Sequence, residues 1–100
     1  ELESVEETYA FPNPFSPNLD YTRIKYSTGN SGGSVTIRIL DFGMNLVKTL
    51  IQNVDRPSGE QFEFWNGRDE GGSIVSNGVY FYRIDIDSKD PVFGKIMVIR

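Results

Sequence analysis

The chain is divided into short segments in which apolar and polar residues alternate, and this period of two constrains its fold most. Segment 79–87 places two tyrosines and two isoleucines in one phase. Segment 35–39 alternates Val and Ile with Thr and Arg, and segment 22–28 alternates Ile24 and Tyr26 with two cations. Clusters of Gly, Asn, Asp and Pro separate such segments at intervals of about 8–12 residues. The pattern predicts strands that each bury one face.

Two glycine turns surround the most aromatic part of the chain. Trp65 opens the first turn, which runs to Gly72, and the Asn77-Gly78 pair forms the second. Trp65 is interpreted as a core anchor at the end of a strand, since large aromatic side chains are usually buried. The alternative is a sugar-stacking platform that Trp65 forms together with an exposed Phe81.

Three further segments complete the predicted strands. Phe62 and Phe64 alternate with Gln61 and Glu63 in the strand that leads to Trp65. Residues 42–45 predict a hairpin turn in which glycine 43 takes the left-handed conformation. Segment 92–100 is apolar in both phases, so its period does not orient it, and a loop or a partner must cover its second face. We favour a partner or a preceding domain.

About seven strands in 100 residues predict an all-β fold, an antiparallel immunoglobulin-like β-sandwich. The first seven residues include four glutamates. Residues 1–8 are therefore interpreted as an acidic linker from an upstream region, and residues 9–100 as the sandwich.

Composition argues against several classes of function. The net charge of −4 provides no basic stripe for nucleic acid. No apolar run approaches the roughly 18 residues of a membrane-spanning helix, so membrane insertion is not expected. The chain has no His and no Cys, so the usual nucleophile and base pairs are missing. We expect neither an enzyme nor a cofactor.

Carboxylates offer two weaker site hypotheses. Asn66, Asp69 and Glu70 are potential oxygen ligands for Ca²⁺, but this ion prefers six to eight ligands and turn geometry alone explains the residue types. Asp69 with Glu70, or Asp85 with Asp87, would be acid–base pairs. Neighbouring carboxylates on a turn point apart, and the second pair falls on a predicted solvent face, so neither pair predicts catalysis.

Several of these segments together resemble a known family. They are Tyr-Ala-Phe-Pro-Asn-Pro-Phe at 9–15, Val-Thr-Ile-Arg-Ile-Leu-Asp at 35–41, Gly43, Val47, Thr49 and Leu50, Trp-Asn-Gly-Arg-Asp at 65–69, and Gly-Val-Tyr-Phe-Tyr-Arg at 78–83. The set resembles the FlgD Ig-like domain and is similar to the related C-terminal domains that act as type IX secretion sorting signals. It spans about residues 9 to 100. Asn66 stands where the FlgD-like branch usually has Asp.

The resemblance implies a non-catalytic module that ends a larger secreted or cell-surface protein, exported through the periplasm. Its function would be sorting and anchoring through protein–protein recognition by the secretion machinery or a neighbouring subunit. The alternatives are structural assembly, as in flagellar hook scaffolding, and carbohydrate binding. The residues expected to carry recognition are Pro12, Asn13, Pro14, Phe15, Lys95, Ile96, Met97, Val98, Ile99 and Arg100. The structural signature of the family comprises Trp65, Asn66, Gly67, Asp69, Gly78, Tyr80 and Tyr82.

Overall fold

The computed structural model describes residues 8–100, which form seven strands in two sheets. The predicted linker falls almost wholly on residues 1–7, which lie outside the described residues. The strands are β1 (Tyr9–Phe11), β2 (Thr22–Ser27), β3 (Gly33–Leu40), β4 (Leu46–Arg56), β5 (Glu60–Trp65), β6 (Gly78–Ile86) and β7 (Val92–Val98).

The two sheets form a sandwich with every pair of neighbouring strands antiparallel. Sheet A has the order β1-β2-β5, and sheet B has the order β4-β3-β6-β7. Strands β3, β6 and β7 are adjacent, as strands C, F and G are in immunoglobulin-like sandwiches. The predicted antiparallel sandwich is confirmed.

The core lies between the sheets and follows the alternation in the sequence. Ile24 and Tyr26 of β2 face inward, as do the valine and isoleucines of β3. Strand β6 contributes Tyr80, Tyr82 and both isoleucines that share their phase. Period-two patterning predicted these faces correctly because each of these strands buries one side and leaves the other closer to solvent.

Strand β5 buries the face opposite to the one that carries its phenylalanines. Glu63 and Trp65 face inward, whereas Phe62 is 41% exposed and Phe64 is 53% exposed. The Glu63 carboxylate is satisfied there by the Arg56 guanidinium, with nitrogen–oxygen distances of 2.8 and 3.2 Å, and by the Tyr26 hydroxyl at 2.8 Å. A buried charge needs such partners.

The turn between β3 and β4 is the predicted hairpin, but the left-handed residue was predicted wrongly. Met44, with φ of 69°, takes that conformation, and Gly43 has no positive φ. The Asp41 carboxylate accepts hydrogen bonds from the backbone amides of Gly43 and Asn45, each at 2.9 Å. These bonds, chiefly the one from Asn45, lower the pKa of Asp41. The aspartate thus fixes the turn in place of glycine flexibility.

Candidate recognition surface

The Pro-Asn-Pro-Phe segment carries the chain from one sheet to the other. Strand β1 pairs with β2 in sheet A, whereas Phe15 forms a parallel bridge with Val98 beside sheet B. The peptide bonds that precede Pro12 and Pro14 are both cis. The two prolines have no amide hydrogens, so ladder pairing stops where the chain crosses.

This segment is hydrogen-bonded to the outer edge of β7. The Asn13 side chain donates to the Lys95 carbonyl and accepts from the Met97 amide, both at 2.8 Å. The Phe15 amide donates to the Met97 carbonyl, and the Ile99 amide donates to the Phe15 carbonyl, both at 3.0 Å. Residues 12–15 and 95–100, predicted separately from the two ends of the sandwich, therefore form one surface, which we call the composite edge.

The main-chain hydrogen-bonding groups at the composite edge already have partners within the domain. From the Lys95 carbonyl to the Ile99 amide, the outward groups of β7 bond to Asn13 and Phe15. The Arg100 amide donates to the Asn77 side chain at 2.6 Å. Addition of a partner strand, which needs unpaired groups, would have to displace these bonds.

The composite edge presents some of its predicted recognition residues and buries others. Phe15, Ile96 and Val98 belong to the hydrophobic core, so their side chains are inaccessible to a partner in the folded domain. The side chains at the surface are Pro12 in part, and Asn13, Pro14, Lys95, Met97, Ile99 and Arg100. Strand β7 also exposes Phe93, over whose ring the Arg83 guanidinium lies 5.8 Å from the centroid, so the second apolar phase of this segment is only partly covered.

Trp65 lies at the centre of an aromatic cluster that supports the composite edge. It is 1% exposed and makes edge-to-face contacts with Phe15 at 5.8 Å and Tyr80 at 5.6 Å between ring centroids. Its indole nitrogen donates to the Arg68 carbonyl at 3.0 Å. The core interpretation of Trp65 is confirmed, and the sugar platform built on this residue is wrong.

Other residues of the predicted structural signature lie around this aromatic cluster. Gly67 has φ of 76°, and a Cβ there would overlap Pro17 and lie 3.2 Å from the Phe15 ring, so the Trp65 turn packs closely on residues 15–17. Gly78 begins β6, and the Tyr80 hydroxyl donates to the Ser76 carbonyl at 2.7 Å. The Tyr82 hydroxyl shares a hydrogen bond of 2.9 Å with Thr8, a residue assigned to the linker by the sequence.

The oxygens of the Trp65 turn are used by the chain itself. Asn66 accepts from the Arg68 amide, and one Asp69 oxygen accepts from the amides of Gly71 and Ser73. Glu70 accepts from the Thr49 amide at 2.8 Å. Within residues 8–100 no group of three or more acidic, His or Cys side chains is arranged to hold a metal ion.

The other carboxylate pair is also engaged. Asp85 forms ion pairs with Arg83 at 3.0 Å and with Arg38 at 3.7 Å. Asp87 accepts from the Ser34 amide at 2.9 Å. These contacts fix the outer face and one end of sheet B. Asp85 and Asp87, which the sequence offered as an acid–base pair, therefore both have partners within the domain.

Sequence reasoning missed the outer face of sheet A. Five aromatic side chains there are exposed around two cations: Tyr9, Phe11, Tyr21, Phe62 and Phe64 surround Arg23 and Lys25. We call this set the aromatic face. The sequence of β5 predicts this exposure once Trp65 is placed in the core. Successive side chains of a strand point to opposite faces, so an inward Trp65 places Phe64 and Phe62 outward.

Comparisons with known proteins relate the chain to others by fold. Neither a protein-family model nor a curated protein sequence matches it. It is similar to part of PorZ, a bacterial surface component of the type IX secretion system of Porphyromonas gingivalis, with TM-score 0.66 and 24% identity over 96% of this chain and 12% of that chain. It is also similar to FlgD from P. aeruginosa, with TM-score 0.60 and 19% identity over 85% of this chain and 62% of that chain.

These likenesses define the class as an all-β sandwich module of the kind found in PorZ and FlgD. The chain spans about an eighth of PorZ and less than two thirds of FlgD. The resemblance to the FlgD Ig-like domain is thereby supported at the level of fold. Within the described residues, no helix is long and apolar enough to cross a membrane.

Proposed function

We propose that this domain is a non-catalytic sorting and anchoring signal of the type IX kind, recognised as a folded unit through protein–protein contacts. It would direct an attached protein through the periplasm to the cell surface. The composite edge is the observation that carries the proposal, because residues from both ends of the sandwich build one surface there. The fold shared with a part of PorZ supports the same context.

A signal that is read as a shape requires a surface that exists in the folded domain and is lost on unfolding. The composite edge meets this requirement, since Asn13 and Lys95 are 82 positions apart and meet through a hydrogen bond. Lys95, Met97 and Ile99 project from this fixed backbone with their side chains exposed. Machinery that reads these side chains would discriminate the folded domain from the unfolded one.

A reporter fusion tests the proposal directly. The chain is fused to the C-terminus of a periplasmic reporter in a type IX-competent host, and the surface-exposed fraction of reporter is measured. We expect surface delivery with the domain, and periplasmic retention in a type IX-deficient strain. Met97→Glu should reduce delivery, whereas Gln52→Glu, the matched change at the exposed opposite edge strand β4, should not. Periplasmic retention of the unaltered fusion would refute the sorting role.

The likeness to FlgD favours a second function, a structural assembly module that packs against neighbouring subunits. This function predicts a parent protein that is short and encoded with flagellar components, whereas sorting predicts a long enzyme or adhesin upstream. Sequencing the gene upstream of the codon for Glu1 distinguishes the two.

A further inference from the structure

The aromatic face exposes more apolar surface than folding of this domain requires. Its side chains are between 41% and 61% exposed, with Phe62 the least and Phe11 the most accessible. Together the five rings expose on the order of 500 Å², as much as the largest apolar patch on a typical soluble monomer. Patches of this size are commonly sites of interaction.

The register of sheet A arranges this surface in rows. Tyr9, Lys25 and Phe62 lie side by side across the three strands, because Tyr9 pairs with Lys25 and Lys25 pairs with Phe62. Phe11, Arg23 and Phe64 form the next row in the same way. A strip of two cations therefore runs along the central strand between two columns of aromatic rings.

The cations are held in place by the rings beside them. The Arg23 guanidinium carbon lies 4.9 Å from the Phe62 ring centroid, and the Lys25 ammonium lies 5.3 Å from the Tyr9 ring centroid. Cation–π contacts of this length orient both side chains. Lys25 also pairs with Glu60 at 3.0 Å, whereas no carboxylate of residues 8–100 lies within 4.0 Å of the Arg23 side-chain nitrogens.

The surface continues over the edge of β5 into an open groove. Tyr21 packs edge-to-face on Phe64 with ring centroids 5.1 Å apart. Behind them a groove of about 280 Å³ reaches Leu50 and the side of Trp65. Lys48 stands at its rim, 3.8 Å from Glu70. The groove offers a pocket for one apolar side chain next to the cationic strip.

Aromatic residues and arginine are the residue types enriched at the centres of protein interfaces. A second copy of this chain fits poorly, because two sheets packed face to face about a two-fold axis at Arg23 would place this guanidinium against its own copy. Stacking of sugar rings on Phe62 and Tyr9 is disfavoured, since cations already lie over these two rings. Two cations in a chain of net charge −4 are too few for a nucleic-acid backbone.

We infer that the aromatic face docks a protein surface that presents carboxylates among apolar side chains. A carboxylate would pair with Arg23, which has no ion pair among residues 8–100, and the apolar groups would cover the flanking rings. This surface lies on sheet A, whereas β7 of the composite edge belongs to sheet B. The inference concerns a second contact and does not depend on the sorting role.

The test uses the chain of residues 1–100 and a defined probe. A capped peptide of alternating glutamate and valine is titrated into labelled protein, with a lysine–valine peptide as the charge-reversed probe, and backbone amide shifts are followed by NMR. We expect the acidic peptide to shift amides of β1, β2 and β5, and the basic peptide to shift none of them. Arg23→Glu should weaken binding about tenfold or more, since it sets like charges against each other.

Two further variants separate docking from folding. Phe62→Thr removes an exposed ring but keeps a residue suited to a strand, so it should weaken peptide binding with little change in melting temperature. Lys89→Glu makes the same charge change as Arg23→Glu at an exposed loop position and should leave affinity unchanged. If the acidic peptide causes no shifts, or shifts that map to sheet B, the inference is wrong.

Other ligands give distinct outcomes in the same spectra. Shifts of the aromatic face that depend on protein concentration without peptide would assign it to a second copy. Shifts caused by phosphatidylglycerol vesicles, cellohexaose or oligothymidylate, without shifts from the acidic peptide, would assign it to a membrane, a glycan or a nucleic acid. Each of these results overturns the inference, and each is separate from the outcome of the reporter fusion.

Discussion

At the scale of single residues, Gly94 shows how closely the edge strand β7 packs on its neighbour β6. It lies opposite Tyr82 in the β6–β7 ladder, and the fully buried Tyr82 ring covers it. A Cβ on Gly94 would overlap the ring atoms of Tyr82. The glycine is therefore required by the close approach of an aromatic side chain, and its backbone φ imposes no such need.

Gly94→Ala should destabilise the domain by about 1–3 kcal/mol, the usual cost of an overpacked core. Urea denaturation followed by tryptophan fluorescence measures the change, since the chain has one tryptophan and it is buried. Gly71→Ala is the matched control, because a Cβ there would make ordinary contact with Asp69 at 3.5 Å. Equal unfolding midpoints for the two variants would contradict the packing argument.

The residue scale is also where sequence reasoning succeeded and failed most visibly. Alternation located the buried faces of β2, β3 and β6, because one phase of each strand carries the large apolar residues that pack in the core. The same rule failed in β5, where an inward carboxylate is satisfied by Arg56 and Tyr26. Arg56 and Tyr26 belong to other strands, so the alternation within β5 does not predict these contacts.

At the scale of elements, the composite edge depends on contacts between distant segments, which the pattern of residues along the sequence does not predict. The sequence predicted both segments as recognition sites, but their contact depends on the path of the whole sandwich. Asn13 replaces a neighbouring strand, since its amide group bonds to one carbonyl and one amide of β7. A single side chain thereby protects the end of an edge strand that would otherwise invite pairing.

Asn13→Ala should cost about 1–2 kcal/mol, the sum of two modest hydrogen bonds at an exposed edge. The larger effect should be local, because the Met97 amide loses its acceptor. Native-state hydrogen exchange should accelerate more at Met97 than at the core amides of β3, whose rates rise only with the global loss of stability. Asn30→Ala, in an exposed loop, serves as the control. Unchanged exchange at Met97 would show that Asn13 does not hold this edge.

At the scale of the whole molecule, burial of tyrosine makes stability depend on alkaline pH. Burial raises the pKa of Tyr26, Tyr80 and Tyr82, and for Tyr26 the neighbouring Glu63 carboxylate raises it further. Folded protein then keeps these protons at a pH where the unfolded chain loses them, above about pH 10. The stabilisation is complete below that pH and is lost as pH rises toward the folded pKa values.

We therefore expect the urea midpoint to be flat from neutral pH to about pH 9 and to fall steeply above about pH 10. Tyr82→Phe removes one of the three buried phenols and should reduce the slope of this fall. Its loss of the Thr8 hydrogen bond lowers stability at every pH, so the slope is the informative quantity. A midpoint that stays constant through pH 11 would contradict the assignment of these buried phenols.

The two sheets are also joined by charge on the side where β4 and β5 form their edges. Arg56 of β4 reaches Glu63 of β5, and Tyr26 of β2 completes the group. The Glu63 side chain is 10% exposed and that of Arg56 is 29% exposed, so the two partners differ in access to water. Removing Arg56 leaves a carboxylate with little solvent, whereas removing Glu63 leaves a guanidinium that water can reach.

Arg56→Met should therefore destabilise the domain by about 3 kcal/mol, and Glu63→Gln should cost less. The double variant should be more stable than the sum of the two single changes predicts, because it leaves no uncompensated charge. Thermal and urea denaturation of the four proteins complete the cycle. Equal costs for the single variants, or strict additivity, would mean that water screens this pair as it does at an open surface. The inward carboxylate of β5 would then need another source of stability.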